Sequence, residues 1–164
     1  MLKSLLGKKT DGTCVMNSLI QKNIDGERAY REAAELVTDN TVRDTFLMHA
    51  EQRAGYAAEL ATLVRSLGGE PARGSTSLAK VMIPLKMAWL KVTGAGTDRL
   101  VASAESGEDC AKNAYAKALE QDSLKGESRL VVERQMSGIQ QSHARMKALK
   151  DEFSVQDAVG ERPA

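Results

Sequence analysis

One phrase occurs twice in this chain, and its recurrence constrains the fold more than any other feature. Arg28-Ala29-Tyr30-Arg31-Glu32-Ala33 in the first half is answered by Asn113-Ala114-Tyr115-Ala116-Lys117-Ala118 in the second. Seven residues before each tyrosine, two helical turns back on the same face, stand Asn23 and Glu108. Such a repeat points to two similar helical hairpins facing each other, each turning one polar residue and one tyrosine toward a shared interior.

Helical periodicity runs through the rest of the sequence, and strand alternation is absent. A first helix is expected after Asp11-Gly12-Thr13, with Thr13 as its N-cap, ending near Val37. Its stripe reads Met16, Ile20, Asn23, Glu27, Tyr30, Ala34 and Val37, in steps of three and four. Asp39-Asn40 makes a turn. A second helix follows from about Thr41 to Leu67, with Val42, Phe46, His49, Arg53, Tyr56, Leu60, Leu63 and Leu67 on its seam. Gly68-Gly69 stops it. From Ser77 to Thr93 the chain is apolar, interrupted by Pro84 and marked by Trp89, which reads as a helical crossover lying across the bundle. The next seam, from Thr97 to about Gln121, is Val101, Ala104, Glu108, Ala111, Tyr115 and Ala118. The last helix, about Leu124 to Phe153, carries Val132, Met136, Ile139, His143, Met146, Leu149 and Phe153.

Two short turns make two antiparallel pairs, and the long middle connection lets the second pair lie beside the first. The expected architecture is therefore all-α: a four-helix bundle over residues 13–153 with a crossover at 68–96. Residues 1–12 and 154–164 are expected to be flexible. Aromatic residues make up only 4% of the 164, which suits helix packing through Ala, Leu, Val and Met.

Charge excludes some partners. Lys and Arg number 23 against 22 Asp and Glu, so no net field favours nucleic acid or an anionic membrane. No run approaches the ~18 apolar residues of a membrane span. The basic start, Met1 to Lys9, lacks the apolar run of a signal peptide. Cys14 and Cys110 lie far apart with no metal-binding spacing, and a reduced, cytoplasmic protein is the expectation.

The phrases Asn23-x-Asp25-Gly26-x-x-x-Tyr30-x-x-Ala33-Ala34-Glu35 and Gln52-Arg53-x-x-Tyr56-x-x-Glu59-Leu60 carry a resemblance. So do Leu67-Gly68-Gly69-x-Pro71-x-x-Gly74-Ser75 and Glu105-x-Gly107-Glu108-Asp109. Over roughly residues 15 to 150 the chain resembles the ferritin-like superfamily, rubrerythrin-type bundles in particular. More closely still, it resembles an uncharacterised bacterial family of four-helix-bundle domains of unknown function. The resemblance implies a ferritin-like bundle; an association with stress follows from the superfamily alone.

Metal-binding members of that superfamily place one Glu on each of two helices and a Glu-x-x-His on each of the others, six ligands for two metals. Carried onto this chain, the lone Glu positions become Asn23 and Glu108. The motif positions become Ala50-x-x-Arg53 and Gln140-x-x-His143. Only Glu108 and His143 keep a ligand of the expected type. Asn23 and Gln140 are weak donors, Ala50 has none, and the fixed charge of Arg53 repels a divalent cation. No cofactor is expected, with di-iron or di-manganese as the alternative.

The seams place Asn23, Glu27, Tyr30, His49, Arg53, Glu108, Tyr115 and His143 near one depth. They are expected to form a central polar network in which Arg53 replaces the metals by bridging Glu108 and Glu27. Against this stands the plainer reading that several are solvated surface side chains. If a metal binds at all, Glu108, His143, Glu27 and His49 are its candidates. The Met residues read as core filler, Cys110 as an inert thiol, buried or half-buried, and no catalytic triad or phosphate loop is present. Trp89 and its apolar neighbours either cover the bundle or join it to a second copy.

Three function classes follow. The first is a non-enzymatic scaffold or interaction protein, stress-associated by its superfamily, with a degenerate metal site. The second is a rubrerythrin- or ferritin-type metal-dependent oxidoreductase. The third is a small-ligand binder using the polar centre. The missing ligands favour the first, and enzymatic activity is not expected.

Overall fold

In the computed structural model the backbone is described for residues 2–94 and 96–160, and side chains for 12–94 and 96–155. Five helices follow one another: α1 (Leu2–Leu36), α2 (Asn40–Ser66), α3 (Ser77–Val92), α4 (Thr97–Leu119) and α5 (Glu127–Gly160). No strand occurs among the described residues. α1 packs mainly on α2 and α4 mainly on α5, while an α1–α4 contact and a thinner α2–α5 contact join the hairpins. All four pairings are antiparallel. Arg43 meets Val37 while Arg53 meets Asn23, Glu105 meets Lys150 while Tyr115 meets Gln135, and Gln52 meets Ser142 while Glu59 meets Gln135.

The helix ends follow from local chemistry. The Asp39 carboxylate accepts from the Val42 amide at 3.0 Å and starts α2. Arg43 then folds back to the carbonyls of Ala34 and Val37, supplying donors to the orphan end of α1. Gly68, at φ 78°, takes the left-handed conformation that closes α2, as the sequence predicts. Two polar residues of α1 hold the crossover. Asn17 donates to Glu70 O and accepts from Ala72 N, and the buried Asp25 accepts from both the amide and the hydroxyl of Thr76. Thr76 is in turn the N-cap of α3.

Two apolar clusters fill the bundle. One gathers Met16, Ile20, Leu60, Val64, Leu124 and Val132; the other gathers Val37, Val42, Phe46, Leu100, Met146 and Leu149. The polar layer described below lies between them. On the inner side of α3, Leu90 and the half-buried Met87 close the second cluster, whereas Trp89 stays 56% exposed.

α1 does not start after Thr13. Its helix already runs from Leu2, and Gly12 is a buried contact point at which a Cβ would sit 2.9 Å from the Ser123 carbonyl oxygen. The Asp11-Gly12-Thr13 signal marks close packing against the α4–α5 turn rather than a helix boundary. Residues 2–12 and 154–160, expected to be flexible flanks of the bundle, continue α1 and α5 as helix, while residues 1 and 161–164 lie outside the described residues.

Candidate functional site

Each tyrosine of the repeat reaches the polar residue of the other repeat. Tyr30 on α1 donates to Glu108 Oε1 on α4 at 2.6 Å, and Asn23 on α1 donates to Tyr115 Oη on α4 at 2.6 Å. Antiparallel α1 and α4 put position 23 level with 115 and position 30 level with 108, so the seven-residue spacing closes both bonds at once.

Arg53 of α2 ties the two bonds together. Its Nη2 lies 2.5 Å from Glu108 Oε2 and its Nη1 donates to Asn23 Oδ1 at 3.4 Å. The guanidinium and carboxylate are 2% and 1% exposed, so this ion pair is sealed in the bundle. Space for the arginine stem comes from α1: a Cβ at Gly26 would lie 3.5 Å from Arg53 Cγ. The chain of bonds continues outward. Tyr115 donates to Gln135 Oε1 at 2.7 Å, and Gln135 Nε2 donates to Glu59 Oε2 at 2.8 Å. Glu59 is paired at the surface with Arg134. All four bundle helices contribute.

His49, one turn before Arg53, is buried against Tyr30 with ring centroids 5.4 Å apart. Neither of its ring nitrogens, nor Arg53 Nε, has a hydrogen-bond partner among the described residues. Burial pushes the imidazole pKa down, against the opposing pull of Glu108 and of the nearby Gln52 side chain, which does not reach good hydrogen-bond geometry with the ring. Burial and then the Glu108 charge push the Tyr30 hydroxyl well above its usual range, and burial raises Tyr115 likewise. Both phenols are therefore neutral in the folded chain.

Of the residues expected in the network, Asn23, Tyr30, Arg53, Glu108 and Tyr115 are bonded together, with His49 beside them. Glu27 is not among them. It is 29% exposed and held by Arg31 at 3.0 Å on the outer side of the α1–α2 pair, where Arg31 also meets Glu51. Arg53 therefore bridges Glu108 and Asn23 rather than Glu108 and Glu27 as expected. His143 is also outside: its Nε2 lies 2.9 Å from Asp109 Oδ1 at the α4–α5 surface. Lys112, also on Asp109, is the main cause of that carboxyl's lowered pKa.

Two residues inside the bundle escaped the sequence reading, Gln135 and Ser142. The buried α5 positions here are Gln135, Ile139 and Ser142, whereas Gln140 is exposed. Ser142 donates to Gln52 Oε1 at 2.8 Å. The α5 seam is thus displaced by one residue at two points, and the motif carried onto Gln140 and His143 falls on the wrong face.

A di-metal centre does not fit this donor set. Among the described residues only one carboxylate, Glu108, enters the centre of the layer, with one oxygen taken by Tyr30 and the other by a guanidinium that already supplies the cation. Among the described residues no three His, Cys, Asp or Glu side chains converge as metal ligands would.

A family profile described as a domain of unknown function (DUF2383) matches residues 11–121. Among solved structures, the chain is similar to a dodecameric thioferritin, the bacterioferritin-related protein from Bacteroides fragilis. The TM-score is 0.73 at 16% identity, over 98% of this chain and 97% of that one. No curated protein sequence matches. The structural likeness and the helix order make this an all-α, ferritin-like bundle. Among the described residues no helix is long and apolar enough to cross a membrane.

Proposed function

The chain belongs to the family described as a domain of unknown function (DUF2383), and from that premise and its polar layer we propose a non-enzymatic, self-assembling scaffold of ferritin-like fold. In it the ion pair of Arg53 with Glu108 stands where relatives of this fold hold metals. The single observation carrying the reading is that pair, 2.5 Å long and sealed from solvent. A buried pair closed by further hydrogen bonds fixes one arrangement of four helices, and losing either partner strands the other's charge. A structural role for the layer is supported by Glu108, whose two oxygens are taken by Tyr30 and Arg53.

Self-assembly is supported by the apolar outer face of α3, where Trp89 is exposed, and by the dodecameric state of the similar thioferritin. Cys110 is exposed, not buried or half-buried as expected, and like the exposed Cys14 it is unpaired, which supports a reducing, cytoplasmic setting. A rubrerythrin- or ferritin-type oxidoreductase would need carboxylates and imidazoles facing inward where Asn23, Ala50, Ile139 and Ser142 stand.

The test is oxygen and peroxide consumption by the purified protein supplied with Fe(II). Rates equal to those of Fe(II) in buffer are expected; acceleration saturating with protein would overturn the reading.

A further inference from the structure

α3 has two apolar faces, and among the described residues only the inner one packs into the bundle's core. Its inner face sets Leu90 and Met87 on the bundle. Its outer face presents Leu78, Val81, Met82, Leu85, Trp89 and Val92, exposed by 72, 64, 50, 61, 56 and 86%. At about 100° per residue these six fall within an arc about 100° wide, a continuous stripe along the whole helix. Arg99 of α4 lies 5.6 Å from the centroid of the Trp89 ring and holds it in place.

Five of the six stripe residues are placed symmetrically about Leu85. Leu78 and Val92 lie seven residues to either side, Val81 and Trp89 four. We propose that this face is a two-fold interface with a second copy of the chain, in which the two α3 helices pair antiparallel with Leu85 on the axis. The inference rests on the self-assembly reading above and names its surface and register. In this register Leu78 faces Val92, Val81 faces Trp89 and Leu85 faces itself, while Met82 is level with Ala88 at the stripe's edge.

Charge selects the same arrangement. From Pro71 to Thr97 the sequence carries Arg73, Lys80, Lys86 and Lys91 and no Asp or Glu. A parallel pair would set Lys86, which borders the stripe, beside its own copy, whereas the antiparallel register sets it level with Pro84. Lys80 and Lys91 lie about 150° and 130° from the stripe's centre, and only Lys86 borders it. A helix built to lie on anionic lipid brackets its apolar face with cations on both edges, which this one does not. The area is adequate: six side chains at these exposures present on the order of 100 Å² each, so the pair buries about 1,200 Å², the lower edge of stable interfaces.

The test combines sedimentation with disulfide trapping in the full chain carrying C14S and C110S. In that background L85C is expected to form a linked dimer almost completely under mild oxidation. L78C alone should link little, because its two copies lie about 20 Å apart along the helices. L78C mixed with V92C should link well. Self-linking of L78C would overturn the register. An oligomer with no link at any of these positions would place the interface elsewhere, sinking this inference while the self-assembly reading stands. A chain monomeric at every concentration would sink both, and a monomer that pellets with phosphatidylglycerol vesicles would assign the stripe to lipid instead.

Discussion

Tyr30 on α1 donates its hydroxyl across 2.6 Å to Glu108 on α4, the residue seven positions before the second tyrosine. Tyr115 answers by accepting from Asn23, seven positions before the first. The two bonds are equivalent in place but opposite in direction. Where the second repeat supplies a carboxylate and its tyrosine partner must donate, the first supplies an amide and its partner accepts. Arg53 resolves this asymmetry, placing one cation beside the one carboxylate and donating to the amide oxygen opposite.

Arg53→Met leaves Glu108 buried without a counter-charge and is expected to lower unfolding free energy by about 3–5 kcal/mol. Adding Glu108→Gln should recover a substantial part, since two uncharged groups replace one stranded charge. Urea denaturation of wild type, both single variants and the double variant checks this. Equal stability of R53M and wild type would contradict it.

Tyr30→Phe removes a donor to an ionised carboxylate, and Tyr115→Phe removes an oxygen bonded on both sides, to Asn23 and Gln135. Each should cost about 1–3 kcal/mol, visible as a lower urea midpoint with unchanged m-value.

His49 titrates below its unfolded-state value because burial disfavours the imidazolium, with Glu108 pulling the other way and Arg53 reinforcing burial. Between the depressed folded pKa and the unfolded value of about 6.5, the unfolded chain binds the extra proton. Stability contributed by neutral His49 is thus complete above about pH 6.5 and falls as pH drops, by at most about 1.4 kcal/mol per unit. His49→Phe should flatten that part of the stability–pH curve relative to wild type. An unchanged slope would show that His49 does not titrate in this way.

Gly138 on α5 admits the hydroxyl of Tyr56 from α2, and a Cβ there would overlap it. Gly138→Ala should be destabilising despite alanine's better helix propensity, and Tyr56→Phe in the same chain should relieve part of the loss. A double-mutant cycle with a coupling of about 0.5 kcal/mol or more in that sense is expected; additive effects would mean the two residues do not collide.

The repeat made α1 and α4 legible, because two copies of one spacing fix which face of each helix is inward. Arg53 was legible as well: a permanent charge on an otherwise apolar seam must find a partner inside. α5 was harder, since its stripe admits two readings one residue apart. Met136 and His143 look more like seam residues than Gln135 and Ser142, yet Gln135 and Ser142 are buried because Tyr115 and Gln52 offer them hydrogen bonds. Such partners lie on other helices and leave no mark in the local pattern. Glu27 misled for a related reason. It lies on the stripe in number, but Arg31 four residues on offers an exposed partner at no desolvation cost.

The central claim is that the Arg53–Glu108 pair occupies the place of a metal centre. It is tested most directly by elemental analysis for iron, manganese and zinc on untagged protein, before and after aerobic incubation with Fe(II). Retained metal well below one per chain is the predicted result. Retention near two per chain would contradict the claim, because the layer would then have to open and expel the Arg53 guanidinium from Glu108.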